Sequence, residues 1–493
     1  MRKSKIRIIV IPLLLSILAA AVSCAGGGSD ADASVSTTAS ADSVETTSEA
    51  ADEETEIKDD IGEYDFKGKV FSIVLSDDQL GPTWPYHVDE LNGDLLNDAV
   101  FNRDSKVKER FNTDITYFSA GGDYDKPIAA MKSSVLAGDG AYQLCINHMY
   151  GGFNGAIADG VLYDFNKIPI IDLTKPWWNQ SIRENLEVEG VLLTAVSDIV
   201  YVYVDVVYFN KEIMDNHSIE YPYEKVHDGS WTWDYLARIT KDITEDLNGD
   251  GQYTEVDRYG MVIDANLSSM TRLIHSNGMT MATIGSDGRP TLEGMMSDKM
   301  QSVIDKYYSL LYDDNRSYRT KVVNEICVMF AAGQAMAMHT QTSKLTQLRD
   351  MEQEFGITPL PKYDENQDGY KTLASSQMLL LAADITDEEF VGVMLEAMSA
   401  ESYRQITPVL FDVIFESKYL RDEESFDMFK LMRSSLVYDF NWNFGNGNKM
   451  AYLIGNTAGN KNTDLASYYA ANVTAAQTIL DKVYDDIIKN YAD

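Results

Sequence analysis

Apolar positions along this chain follow two alternating rhythms. "KVFSIVLSDD" (Lys69–Asp78) sets a continuous apolar run before a polar loop, the pattern of a buried strand. "LLNDAVFNRDSKVKERFN" (Leu95–Asn112) has helical period, and "TDITYF" (Thr113–Phe118) returns to strand. "PIAAMKSSVLAG" (Pro127–Gly138) predicts a helix closed by Gly138, and "YQLCINH" (Tyr142–His148) predicts a third strand. This alternation predicts an α/β fold with a mostly parallel sheet and helices on both faces. Ligands in such sheets sit beyond the carboxyl ends of the strands. The loops after Val74, with Asp77, and after Asn147 are therefore candidate site walls.

The rhythm continues downstream. "LLTAVSDIVYVYVDVVYFNKEIM" (Leu192–Met214) is a β-rich run turning into a helix, with Tyr201, Tyr203 and Asp205 on one strand face and the valines on the other; Tyr203 and Asp205 are candidate ligand residues. "SWTWDYLARITKDITEDLNGDGQYTEVDRYGMVI" reads as a capped helix, an acidic loop and a strand. In its helix start, Ser230 or Thr232 suits an N-cap, and Trp231 and Trp233 suit packing. The C-terminal third is mainly amphipathic helix, as in "DEEFVGVMLEAMSAES" and "TAAQTILDKVYDDIIKNYA".

The N-terminus changes the picture most. Four cations precede an apolar run, Ile8–Val22, that is short for a spanning helix and ends "AVSC". The string is similar to a bacterial lipobox, which predicts a signal peptide over 1–23, lipidation of Cys24 and a protein held on the outer face of the cell membrane. Residues 24–62 are Ala, Ser, Thr and acid with almost nothing to bury, and predict a disordered tether. The chain carries 41 Lys+Arg against 77 Asp+Glu, a formal charge of −36. That balance and the lack of a basic stripe speak against nucleic acid as a partner. Cys145 and Cys327 stand in apolar contexts, which favours buried free thiols over a disulfide.

Two constellations carry candidate chemistry. "DLNGDGQYTEVD" offers side-chain oxygens from Asp246, Asn248, Asp250 and Asp257, a carbonyl from Gln252 and a sharp turn at Gly251. This is the calcium-loop pattern, with Asp where an EF-hand has a closing Glu and a strand where it has an exiting helix. Two readings stay open: structural calcium pinning a turn, or an Asx-rich turn that needs none. The second constellation is aromatic side chains interleaved with amides, as a sugar cleft requires. It comprises Trp84 and Tyr86 in "GPTWPYHVDE", His148 and Tyr150 in "NHMYGGFNG", Trp178 in "KPWWNQ", and Asn441, Trp442 and Asn443 in "YDFNWNFGNGN".

The strings "VVYFNKEIM", "GSWTWDYLARITKDITEDLNGDG", "MFAAGQAMAMHTQTSKL", "FGITPLPK" and "SQMLLLAADITDEEF" occur in the order found in a known family. With them the chain resembles an extracellular solute-binding protein of a bacterial ABC importer, of the carbohydrate-serving group that includes the maltose-binding protein. The resemblance implies a two-lobed periplasmic-binding-protein-like fold with a helical C-terminal part. By it, lobe 1 comprises 63–197 plus 336–376 and lobe 2 comprises 198–335 plus 377–493. Crossings are implied near Ser197–Val202, Met336 and Ser376. Tyr203 falls on a ligand-contacting acidic position of the family, and "HTQT" brings His339, Gln341 and Thr342 to another ligand position. The implied protein is a monomer that binds a carbohydrate, partners a permease and needs no catalytic cofactor. Six histidines without an HExxH string, and no GxSxG or P-loop, speak against an enzyme. A surface polysaccharide-binding protein or a glycan-active enzyme is the alternative.

Overall fold

The first apolar runs become parallel strands because each is followed by a helix long enough to carry the chain back across the sheet. β1 (Lys69–Leu75), β2 (Thr113–Ser119) and β3 (Leu144–His148) lie parallel in the order β2-β1-β3. Helices Leu95–Phe111 and Lys126–Ala137 connect them, the second closed by Gly138 at φ 68°. The computed structural model describes residues 57–76, 85–149, 151–410 and 422–492. Cys24, Asp77, Trp84 and Tyr150 lie outside the described residues.

The next strands are β4 (Val202–Tyr203), β5 (Asp205–Asn210) and β6 (Tyr259–Asp264). A small hairpin follows, β7 (Thr283–Ile284) with β8 (Pro290–Thr291). Then come β9 (Ser317–Thr320), β10 (Ala335–Gln341) and β11 (Phe355–Pro359). The last are β12 (Thr372–Leu373), β13 (Ser375–Leu381) and β14 (Leu436–Val437). β13 and β4 complete the first sheet, in the order β2-β1-β3-β13-β4. The second sheet runs β11-β5-β10-β6-β9. β5, "DVVYFN", and β13, "SSQMLLL", are buried at every position, which is why neither shows a clean alternation.

Strand pairing redraws the lobes. β10 and β11 belong to the second sheet and β13 to the first, so within 336–376 only Ser375 and Ser376 join the first sheet, and 377–493 is not all second lobe. Met336 lies inside β10 and marks no crossing. The chain leaves the first sheet at Val204, between β4 and β5, and returns at Ala374, between β12 and β13. Helix Glu388–Glu401 packs on helix Leu95–Phe111 in the first lobe, whereas helix Glu423–Ser434 packs on β11 in the second. The final helix, Leu465–Tyr491, touches both: Asn490 donates to the Ile157 carbonyl at 3.0 Å, and Gln477 to that of Pro290 at 2.7 Å.

Much of the acidic charge serves local structure. Asp94, Asp387, Asp422, Asp439 and Asp464 each cap a helix start with a side-chain oxygen on a backbone N–H. Cys145 and Cys327 are free and buried, on β3 and on helix Val323–Ala331 in different lobes.

Candidate ligand site between the lobes

Parallel β1, β2 and β3 end at one edge of the first sheet, and the antiparallel β13 begins there, with Gln377 opposite His148. Tyr203 on β4 pairs with Ser375 at the same edge. The Tyr86 hydroxyl donates to Gln377 Oε1 at 2.8 Å, and its ring stacks on Tyr201 at 5.6 Å. Arg103, almost wholly buried, fixes this corner: it donates to Asp104 at 2.7 Å and to the Tyr86 carbonyl at 2.7 Å. The Tyr124 ring lies 4.4 Å from that of His148. Burial, reinforced by the positive charge of Arg272, pulls His148 down to about 4, so it is neutral at physiological pH.

The facing edge comes from the second lobe. Asp205 opens β5 and is fully buried, as is His339 on the neighbouring β10. Arg272, on helix Leu267–Ser276, places Nε 3.2 Å from Asp205 Oδ1, a charge contact rather than an aligned hydrogen bond. His339 Nε2 lies 3.2 Å from Asp205 Oδ2. The charge of Arg272 is also felt at Tyr452, whose ring meets that of Trp442 edge-on at 6.0 Å.

Helix Phe440–Phe444 joins the two edges. Its cap, Asp439, accepts from the Trp442 amide at 3.1 Å and the Met281 amide at 2.7 Å, and its other contact is His275 Nε2 at 3.1 Å. Asn154 of the first lobe donates to the Phe444 carbonyl at 2.8 Å, and Asn443 Nδ2 lies 3.4 Å from Met378 Sδ on β13. Asn441 faces Met281 and accepts from Asn448 at 2.6 Å.

The structure thus brings Tyr86, His148, Tyr203, Trp442 and Asn443 to the lobe junction. Asp205 and His339 lie behind it, as partners of Arg272. Gln341 and Thr342 stand at the crossing, where Thr342 and Val204 bond through their backbones at 2.8 Å and Tyr208 donates to the Gln341 carbonyl at 2.9 Å. Trp178 sits apart, in the first-lobe core: Trp177 and Trp178 donate their indole N–H groups to Glu396 at 2.9 and 3.0 Å. Trp231 donates to the Pro359 carbonyl at 2.8 Å. A surface depression of about 600 Å³ on the second lobe, between Thr232, Asp234, Arg238 and Glu365, contains none of the expected ligand residues.

Arg272, Gln377, Tyr124 and Tyr452 were missed from the sequence. None leaves a local signal: Arg272 stands in "LSSMTRLIHS", a helix that buries eight of its ten positions, and that burial is set by packing rather than by the string itself.

The acidic loop folds on itself. Asp246 accepts from the Gly249 and Gly251 amides at 2.7 Å each, and Asp250 accepts from Gln252 at 2.8 Å. Asp257 takes the Thr254 amide at 2.8 Å and that of Leu247 at 3.0 Å, and these bonds hold its carboxyl below the usual range. Gly251 has φ 77°, the left-handed turn the motif requires. Among the described residues, no group of three or more His, Cys, Asp or Glu side chains is placed to hold a metal ion.

Two α/β lobes, two crossing strands and an aromatic, amide-rich junction define a two-lobed binding-protein architecture. Neither a protein-family model nor a curated protein matches the chain. Solved structures do. A cyclo/maltodextrin-binding protein complexed with maltotetraose aligns over 87% of this chain and 99% of its own, at 14% identity and TM-score 0.56. The cyclic α-maltosyl-1,6-maltose binding protein from Arthrobacter globiformis aligns over 85% and 100%, at 13% identity and TM-score 0.56. UgpB from Mycobacterium tuberculosis, in complex with glycerophosphocholine, aligns over 84% and 98%, at 15% identity and TM-score 0.53. The chain shares the two-lobed α/β fold of these binding proteins.

Proposed function

We propose that this protein captures a sugar or oligosaccharide between its lobes and delivers it to the permease of an ABC importer, with no chemistry on the ligand. The observation that carries the reading is the meeting of Tyr86, Tyr203, His148, Gln377, Trp442 and Tyr452 where the strand ends of both lobes converge. Aromatic rings stand there beside amides, the side-chain types that sugar rings and hydroxyls call for. Two solved structures of this fold are maltodextrin- and cyclic-maltosyl-maltose-binding proteins, which supports the same ligand class. The test is a glycan screen read by calorimetry, repeated on folded Tyr203→Ala and Trp442→Ala proteins. Loss of one stacked aromatic weakens binding by about 1–3 kcal/mol, roughly fivefold to over a hundredfold in Kd. Unchanged binding in both variants overturns the site, and cleavage of a bound glycan favours the enzyme reading.

The expected tether over 24–62 is too long at its far end: Asp59 pairs with Arg110 at 2.7 Å and with Arg404 at 3.2 Å, and Ile61 is buried, so 57–62 belong to the folded body. We further propose that Cys24 is lipidated and anchors the protein to the outer face of the membrane through the residues before Ile57. Wild-type protein then partitions into the detergent phase and Cys24→Ser protein does not. Equal release of both into the medium removes the anchor.

For Asp246–Asp257 we infer a structural calcium held by Asp246, Asn248, Asp250, Asp257 and the Gln252 carbonyl. An oxygen-only donor set with a glycine at the turn suits a hard cation. Bound calcium stabilises only the folded state, so Tm rises with calcium and falls with chelator. A Tm indifferent to both means that the loop's own amides suffice.

A further inference from the structure

We propose that the captured saccharide carries a carboxylate, as a uronic-acid oligosaccharide does, and that Arg272 receives it; the proposal rests on the sugar-binding reading above. Arg272 is only 2% exposed, a costly place for a cation that lacks full compensation. Its inner side is engaged: Nε lies 3.2 Å from Asp205, and Nη1 donates to the Ser268 carbonyl at 2.8 Å. Asp205 is itself shared, because its second oxygen faces His339 at 3.2 Å. No acceptor among the described residues meets Nη2. Its helix borders the junction: Thr271 donates to the Ala451 carbonyl, next to Tyr452, at 2.8 Å, and His275 meets Asp439, the cap of helix Phe440–Phe444, at 3.1 Å. The charge of Arg272 is felt at His148 on the opposite lobe and at Tyr452.

A planar guanidinium with an open edge matches a carboxylate better than a hydroxyl, since the charge-assisted bond is shorter and stronger. The net charge of −36 opposes anions at long range, but it is screened beyond about 10 Å at 0.1 M salt, so a local cation decides the outcome.

The experiment uses calorimetry on the full-length protein. The probes are galacturonate, glucuronate, mannuronate and guluronate oligomers, the same oligomers with their carboxyls reduced to neutral hydroxymethyl groups, and hexose phosphates. A uronate oligomer should bind about tenfold to a hundredfold more tightly than its reduced counterpart. The paired variant Arg272→Gln with Asp205→Asn, which leaves no buried charge unpaired between the two, should erase that difference. Equal binding of a uronate oligomer and its neutral form overturns the carboxylate proposal and leaves sugar capture standing. An Arg272-dependent gain confined to hexose phosphates also overturns it. Binding of no saccharide at all overturns both readings.

Discussion

Replacing Asp205 with alanine should lower the free energy of unfolding by about 3–5 kcal/mol, the range for breaking a buried ion pair from one side. Asp205 is fully buried, with one oxygen toward Arg272 and the other toward His339. Its removal leaves the guanidinium of Arg272 without the one carboxylate that pairs with it among the described residues, in a position that water scarcely reaches. The loss should be strongly non-additive. Asp205→Leu with Arg272→Met removes both charges together and should cost less than Asp205→Ala alone. Urea denaturation of the three proteins decides the point. If the single variant unfolds within about 1 kcal/mol of wild type, the pair contributes too little to have organised this side of the junction.

The same pair shows what was legible in the sequence and what was not. Apolar runs and helix stops located β1, β2, β3 and their connecting helices, because those signals are local: side-chain alternation, a capping Asp, a glycine at φ 68°. Strand partnership is not local. β10 reads equally well as a strand of either sheet, and only its pairing with β5 and β6 puts it in the second lobe. The aromatic candidates divided for a similar reason. Tyr203 is set by its own strand, which ends at the crossing, whereas the burial of Trp178 depends on an acceptor 218 positions away. Asp205 and His339 were marked from the sequence as ligand residues, but the side chain that gives them their environment, Arg272, was hidden among the buried positions of an amphipathic helix.

Glu396 supplies a pH dependence with a definite sign. It is fully buried on helix Glu388–Glu401 and accepts from Trp177, Trp178 and the Asp172 amide. Burial outweighs those three donors and pushes its carboxyl up from 4.5 to about 7. A carboxyl raised on folding holds its proton more tightly in the native state. Its stabilisation is therefore fully present below pH 4.5, declines as the pH rises and is lost above about 7. A rise of this size corresponds to about 3 kcal/mol at 1.36 kcal/mol per pH unit. Glu396→Gln does not titrate, and its amide turns a donor toward one indole N–H, so it should be destabilised by about 1–3 kcal/mol where the glutamic acid is neutral. The gap between wild type and variant should narrow as pH rises from 4.5 to 7.5, and should close or reverse at the upper end. Taking the difference between the two proteins cancels the titration of other carboxylates. Denaturation midpoints at pH 4.5, 6 and 7.5 test this, and a gap that stays constant across the series shows that Glu396 keeps one charge state throughout.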